Sequence, residues 1–345
     1  MLKPITIIGG GLAGLTLGIG LRQRGIPVVV WEAGRYPRHR VCGEFISGHG
    51  QQSLSRLGLH EIFFASGARL ATTAAFFSAR FDSPTKILPE PAWCLSRYSM
   101  DKMLADEFCK LGGDLRENSR WPQKIFGDGI VRASGRRAQP IAGGWRWFGL
   151  KVHARHARLS ADLELHFVPA GYVGLCQLKD NEVNVCGLFR SRIALPDLMR
   201  NWRDWLKGSE KSALHERLAE ADFEADSFCS AAGLSLAPQK AATHAECCVG
   251  DALTMIPPLT GNGMSMAFES AELAIEPLAA FSAGEITWPE AGQKIAALCD
   301  DCFRTRLRCA NWLQRGFFQP GIRDSLLFVG SRFPRLWAKL FFCTR

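Results

Sequence analysis

Gly9-Gly10-Gly11-Leu12-Ala13-Gly14 stands between two kinds of pattern, and that position narrows the possible folds more than anything else in the chain. Before it runs the short apolar stretch Pro4–Ile8; after it Leu12, Leu15, Ile19 and Leu21 recur at near-helical spacing as far as Gly25, where a helix can stop. A second apolar run, Pro27–Trp31, follows, so the opening predicts strand, helix, strand with a parallel sheet. Glycines at Gly9, Gly11 and Gly14 permit a tight turn, close approach of backbone to a pyrophosphate, and close packing of helix on strand. The helix N-terminus, with Leu12 and Ala13 in its first turn, adds amide donors and positive partial charge. Glu32, with Ala33 beside it, ends the second run and is placed to bind ribose hydroxyls. These residues specify an ADP moiety, and leave open whether NAD or FAD carries it.

A chain of 345 residues is long for one compact domain, so two joined domains are expected. Its 47% hydrophobic and 22% charged composition is that of a folded globular protein, not a disordered one. Forty-two basic against thirty-three acidic side chains give a net charge of +9, which favours anionic partners. The basic residues are scattered, and no helix interleaves them with stacking aromatics, so nucleic acid is not an expected partner. Ile5–Leu21 is crowded with glycine and lacks a basic leader, which makes it strand plus helix and not a targeting or spanning segment. The twelve cysteines are therefore expected as reduced thiols in a cytoplasmic protein. Cys299 and Cys302 form a lone C-x-x-C without companion ligands, read as packing residues and not as a metal site.

From about Ala71 to Arg97, and again from Trp145 to Leu188, short β-rich runs broken by turn residues predict an antiparallel meander. Arg97–Lys110, Leu195–Lys207 and Ser212–Ala221 have helical character, and Cys247–Gly250 reads as a short buried strand. A further helix is expected from Gly263 to Glu276, stopped by Pro277. Near that point, Cys248-Val249-Gly250-Asp251-Ala252 is followed by Ile256-Pro257-Pro258-Leu259-Thr260-Gly261-Asn262-Gly263-Met264. A strand ending in Gly-Asp, a proline turn and a glycine-flanked helix start can set a carboxylate on a ribityl chain and aim helix-end amides at a flavin pyrimidine ring. Negative charge collects there on reduction, and the positive end of a helix stabilises it. A nicotinamide enzyme has no need of this second element, so the pair points to FAD.

With these residues the chain resembles the flavoprotein superfamily of geranylgeranyl reductases, flavin-dependent halogenases and aromatic hydroxylases, over most of its length through Pro277. Pro37-Arg38-His39-Arg40-Val41-Cys42-Gly43-Glu44 is similar to the Arg-x-Cys-Gly-Glu loop of geranylgeranyl-reductase-like members. Leu95–Asp101 resembles their Arg-x-x-x-Asp helix start, and Phe167-Val168-Pro169-Ala170-Gly171-Tyr172 with Asn184-Val185 their Phe-Pro-x-Gly strand pair. The resemblance implies an α/β fold: a Rossmann-like FAD-binding domain of the glutathione-reductase and p-hydroxybenzoate-hydroxylase type, with an antiparallel-sheet substrate domain. Residues 1–70, 96–140 and 240–290 would form the FAD domain, 71–95 and 141–239 the substrate domain, and 291–345 a C-terminal helical segment. It further implies that Arg40 and Arg97 lie by the FAD, that Cys42 lies near the isoalloxazine as the candidate catalytic residue, and that Asp251 binds the ribityl or pyrophosphate portion. Gly250, Pro258, Gly261, Asn262, Gly263 and Met264 complete the expected cofactor set. Without that context, Arg97 could serve only an i,i+4 ion pair with Asp101, and Cys42 could be an inert buried thiol.

Two departures matter. Many hydroxylases carry Ala-Asp-Gly where this chain has Ala133-Ser134-Gly135, which argues against their direct way of using NADPH, although NAD(P)H stays a candidate electron donor. The stretch Trp145-Arg146-Trp147-Phe148 lacks the lysine-bearing Trp-x-Trp-x-Ile-Pro motif of halogenases, which argues against halogenation. The ten tryptophans and twenty-two phenylalanines suit a pocket for a small hydrophobic substrate, an isoprenoid, polyketide or aromatic. Hydride transfer from reduced flavin to a carbon–carbon double bond and hydroxylation of a hydrophobic metabolite both remain open, as does a flavin redox sensor without turnover. Phe317–Phe342 mixes apolar residues with Arg323, Arg332, Arg335 and Lys339: it is either a lid or a basic amphipathic contact with a membrane surface. Sequence gives no reading of the oligomeric state.

Overall fold

The computed structural model describes all residues except 124–125, 137–143, 194–196, 198, 235 and 238. Its parallel unit begins with β1 (Ile5–Ile8), α1 (Leu12–Arg22) and β2 (Val28–Trp31), as the sequence predicts. After β3 (Phe45–Ile46), α2 (His49–Arg56) and α3 (His60–Ala65) come β4 (Arg69–Ser78), β5 (Phe81–Asp82) and β6 (Lys86–Cys94). The chain returns through α4 (Arg97–Lys110), β7 (Asp114–Arg116) and β8 (Ile130–Arg132), then builds β9 (Arg146–Arg155), β10 (Leu163–Val168), β11 (Gly171–Gln177) and β12 (Val183–Ser191). Next come α5 (Trp202–Lys207), α6 (Ala213–Arg217) and β13 (Asp222–Ala232), and last α7 (Gly263–Ala283), α8 (Trp288–Phe317), α9 (Pro320–Arg332) and α10 (Pro334–Cys343).

The first sheet is parallel, in the order β7-β2-β1-β8. Ten of the eleven residues of α1 are buried, because the helix is enclosed by the sheet, α4 and α7. Leu15, Leu17, Ile19 and Leu21 are fully inaccessible there, each stabilising the fold by about 1.5–3 kcal/mol. The second sheet has nine strands in the order β13-β9-β12-β11-β10-β4-β6-β3, with β5 beside β4. It is mixed and not wholly antiparallel: β10 runs parallel to β4. Strands drawn from two distant stretches, on either side of the return through the first sheet, meet at that seam without a hairpin to make them antiparallel.

Several local expectations change. Pro277 lies inside α7, which continues to Ala283 and ends at Gly284 in the left-handed region (φ 82°). The ring removes one helical hydrogen bond, and packing of α7 against α1, α2 and α8 outweighs the loss. Cys247–Gly250 forms no strand: Cys248 makes a single parallel bridge to Arg132, with Arg132 N donating to Cys247 O at 2.8 Å and Val249 N to Arg132 O at 3.0 Å. The helix expected over Leu195–Lys207 is Trp202–Lys207, its start falling outside the described residues, as does the expected boundary at 140/141. Ser212–Ala221 shrinks to Ala213–Arg217, where Ser212 Oγ accepts from His215 N at 3.2 Å. Cys299 is buried in the core, while the exposed Cys302 thiol approaches Glu269. Cys309 and Cys343 form a disulfide that ties α8 to α10, in contrast to the expectation of twelve reduced thiols.

Candidate functional site

One cavity of about 1260 Å³ runs between the two sheets. Ligand pockets commonly hold roughly 300–1,000 Å³, so this one has room for a dinucleotide and a second small molecule. Of the sequence-predicted set, Gly9, Gly11, Leu12, Ala13, Glu32, Ala33, Arg40, Cys42, Arg97, Gly250, Asp251, Pro258, Gly261, Gly263 and Met264 all line it. Gly14 and Asn262 do not. A Cβ on Gly14 would come within 2.0 Å of the Gly9 carbonyl oxygen, so this glycine serves the contact of helix with strand. Asn262 is fully buried at the start of α7, where its amide donates to the Thr344 carbonyl.

At one end, Gly11 heads α1, and a Cβ built there would meet nothing within 4 Å. That opening, facing first-turn amides without partners inside the helix, is the cradle a pyrophosphate needs. Glu32 sits beneath it. One carboxylate oxygen accepts from Gly10 N at 2.8 Å, the other from Gly34 N at 2.8 Å and from Arg38 Nη1 at 2.5 Å. Burial would raise this carboxyl, but the Arg38 guanidinium and the two amides outweigh burial and hold it at about 2. It is therefore an anion at neutral pH, with lone pairs left for hydroxyl donors.

In the middle, Arg97 opens α4 and makes a two-pronged ion pair with the fully buried Asp101, Nε to Oδ1 at 2.7 Å and Nη2 to Oδ2 at 2.9 Å. The ion pair that sequence offered as a plain surface feature is thus present but inside, and its arginine reaches the cavity. Burial raises the Cys42 thiol despite the pull of Arg97, so Cys42 keeps its proton at neutral pH. Asp251 is exposed to the cavity, where desolvation raises its carboxyl and the charges of Arg136 and Arg97 act in the opposite sense. Gly261 takes a left-handed conformation (φ 65°), and a Cβ there would strike the Phe45 ring at 2.0 Å. That close approach turns the chain into α7 and brings the helix N-terminus to the cavity wall.

At the far end the walls are apolar: Phe76, Leu163, Leu165 and Tyr172 of the second sheet face Phe317, Trp337, Leu340 and Phe341 of the C-terminal helices. Phe317 stacks on Phe167 at 5.0 Å, and Trp337 meets Phe76 edge-on at 5.1 Å. The C-terminal segment accordingly folds back over the cavity, covering it.

Sequence reasoning missed a buried charge network directly behind the Arg40–Glu44 loop. Glu44, fully inaccessible and in the left-handed region (φ 61°), accepts from His153 Nε2 at 2.7 Å and from Arg97 N at 2.8 Å, with Lys151 Nζ 3.5 Å away. His153 Nδ1 contacts Glu182 at 2.9 Å, and Lys151 Nζ donates to His39 Nδ1 at 3.1 Å. Burial alone would raise Glu44, yet the hydrogen bond from His153 and the charge of Lys151 hold it below the carboxylate range. His153 is raised, the bonds to Glu182 and Glu44 outweighing its burial, so both ring nitrogens donate. His39 falls to about 4 through burial and the charges of Lys151 and His153, and stays neutral. The network is charge-balanced, two acids against two cations. Glu44 stood in the quoted loop, but its partners on β9 looked like ordinary alternating strand residues.

Residues 3–139 match the family model described as FAD binding domain. No curated protein matches by sequence. Among solved structures, a geranylgeranyl bacteriochlorophyll reductase-like protein from Thermoplasma acidophilum superposes with a TM-score of 0.73 at 17% identity, covering 93% of this chain and 91% of that one. A triple mutant of the flavin-dependent brominase Bmp2 gives 0.71 at 17% identity, over 94% and 93%. A flavoprotein/dehydrogenase from Cytophaga hutchinsonii gives 0.71 at 17% identity, over 93% and 91%. Residues 3–139 are thus an FAD binding domain, as the sequence motifs led one to expect, and the neighbours share the architecture of nearly the whole chain. At such identities the neighbours define architecture and leave the reaction to be argued from this chain's own residues.

Proposed function

We propose that this FAD-dependent enzyme reduces a carbon–carbon double bond in a small, largely apolar substrate. The observation that carries the reading is the single continuous cavity, polar and glycine-lined at the Gly11 end and apolar at the Phe317 and Trp337 end. Gly11, the α1 amides and Glu32 would hold the ADP portion, Asp251 and the Gly261–Gly263 turn the ribityl and ring portion, with Arg40 beside the phosphates and Arg97, already paired with Asp101, beside Cys42. When bound and reduced by an external two-electron donor such as NAD(P)H, the flavin would supply the hydride and return to its oxidised form. The apolar chamber orients the alkene and excludes water, and Cys42, which lines the cavity and retains its proton, supplies the proton to the second carbon. The thiolate so formed faces Arg97 and regains a proton from water, so one hydride and one proton add across the bond and the thiol is restored. Halogenation is disfavoured because Trp145–Phe148 holds no lysine and Trp147 is committed to packing on Phe318 at 4.8 Å.

The test is an oxygen-free one. FAD-loaded protein, photoreduced under argon, is mixed with a panel of polyprenyl and polyketide alkenes. Reoxidation by an alkene without oxygen is the expected result, and a strict need for oxygen would replace this reading with hydroxylation. Cys42→Ala should keep its flavin while slowing that reoxidation by about a hundredfold, within the usual range for a lost proton donor. Unchanged reoxidation in this variant would remove Cys42 from the chemistry.

A further inference from the structure

α10 is apolar on two sides. Trp337, Leu340 and Phe341 turn toward the cavity, whereas Leu336 and Phe342 are 37% and 51% exposed. The cavity covers one of these two apolar sides, and the described residues of this chain leave the other uncovered. The outer face continues around the corner between α9 and α10 to Phe333 and Phe328, 55% and 57% exposed. Lys86 on β6 holds this corner against the sheet, its ammonium donating to the Ser331 carbonyl at the end of α9. Exposed apolar area this concentrated marks an interaction surface.

Charge identifies the partner. Residues 325–345 contain Arg332, Arg335, Lys339 and Arg345 and not one acidic side chain. The first three are exposed and interleave with Phe333 and Leu336 around the corner. A second copy of the chain docked here would set these like charges against one another, which is unfavourable. A surface of anionic headgroups over hydrocarbon satisfies both halves of the pattern at once. No helix among the described residues is long and apolar enough to cross a membrane, so the contact is peripheral.

We propose that the outer face of α9 and α10 docks on an anionic lipid bilayer. Arg332, Arg335 and Lys339 meet headgroups while Phe333, Leu336 and Phe342 enter the acyl boundary. The inner face of α10 lines the cavity, so a lipophilic molecule dissolved in the bilayer lies one helix away from the apolar chamber.

Flotation of the FAD-loaded protein with vesicles tests this without any substrate. Phosphatidylcholine vesicles containing phosphatidylglycerol should carry the protein upward, pure phosphatidylcholine should not, and raising salt from about 0.05 to 0.5 M should release it. Replacing Arg332, Arg335 and Lys339 together with Gln should weaken partitioning by about a hundredfold, roughly fivefold for each charge. These three side chains are exposed, so flavin absorbance should be unaltered. Phe333→Ser with Leu336→Ser should weaken partitioning at least tenfold even at low salt, by loss of about a methylene's worth of burial or more at each site. Absence of binding at low salt, equal binding to both vesicle types, or a dimer in sedimentation velocity that Phe333→Ser dissolves would each overturn the proposal.

Discussion

Gly11→Val is expected to abolish flavin binding while leaving the apoprotein's melting midpoint within about 1 °C of the parent. The three motif glycines of the opening turn do different jobs, and the structure separates them. A Cβ on Gly9 would lie 2.4 Å from the Ala133 carbonyl oxygen, at a backbone φ of 111° that side chains rarely adopt, and one on Gly14 would lie 2.0 Å from the Gly9 carbonyl oxygen. Both obstacles are backbone, which cannot swing aside. Gly11 has open space instead, and that space is the cavity. Its branched replacement meets no protein atom near its Cβ and occupies the volume the pyrophosphate requires. Gly14→Ala should therefore lower stability by about 1–3 kcal/mol, the usual cost of overpacking. Gly11→Val should cost at least about a hundredfold in FAD affinity, or 2.7 kcal/mol, with no such loss. Thermal unfolding of the apoproteins and fluorescence titration with FAD make the comparison. If Gly11→Val melted early and Gly14→Ala bound FAD normally at full stability, the assignment of the cradle would be wrong.

The contrast also explains what was legible in the chain before its structure. Gly9, Gly11, Gly14 and Glu32 lie within one short strand-helix-strand unit, so their spacing alone carries their geometry. Asp251 and Gly261 are far away, yet each sits in a turn whose glycines and prolines restrict the backbone locally. The parallel seam of β4 with β10 has no such marker, because the pairing depends on where two separated segments are delivered. Pro277 misled for a related reason: its cost is local, but the packing that offsets it is tertiary. The C-terminal segment left a lid and a membrane-surface contact as alternatives, because a one-dimensional pattern cannot say which residues turn inward. Glu44 and His153 are 109 positions apart, and their pairing requires a left-handed glutamate opposite the middle of a strand. Nothing short-range in the sequence marks that meeting.

Glu44→Gln tests the network that sequence missed, and its effect on stability should be the largest of any single change outside the glycine turn. The substitution keeps size and removes charge, leaving the fully buried Lys151 ammonium and the His153 imidazolium facing a neutral amide. Breaking a buried pair from one side costs about 3–5 kcal/mol, because the remaining charges lose their partner without regaining water. The left-handed backbone at Glu44 adds strain that the intact network holds in place. The parent's pH profile should show the same groups from both sides. The Glu44 carboxyl is depressed in the fold, so its contribution is present above its unfolded value of about 4.3 and disappears as pH falls through the folded value. His153 is raised in the fold, so its contribution is complete below about 6.5 and disappears as pH rises through the folded value. Stability should therefore be greatest between these limits, with Lys151, Glu182 and His39 as the other charged or titratable groups in contact. In Glu44→Gln the acid limb should become shallower, since one of the depressed carboxylates that titrate there is gone while Glu32 and Glu182 remain, and the alkaline limb should weaken with the loss of one of the two carboxylates that raise His153. Denaturant unfolding of the apoprotein across about pH 2 to 9 measures both limbs. A variant as stable as the parent, with an unaltered profile, would show that Glu44 and His153 are not paired inside the fold and that the Arg40–Glu44 loop is held by other means.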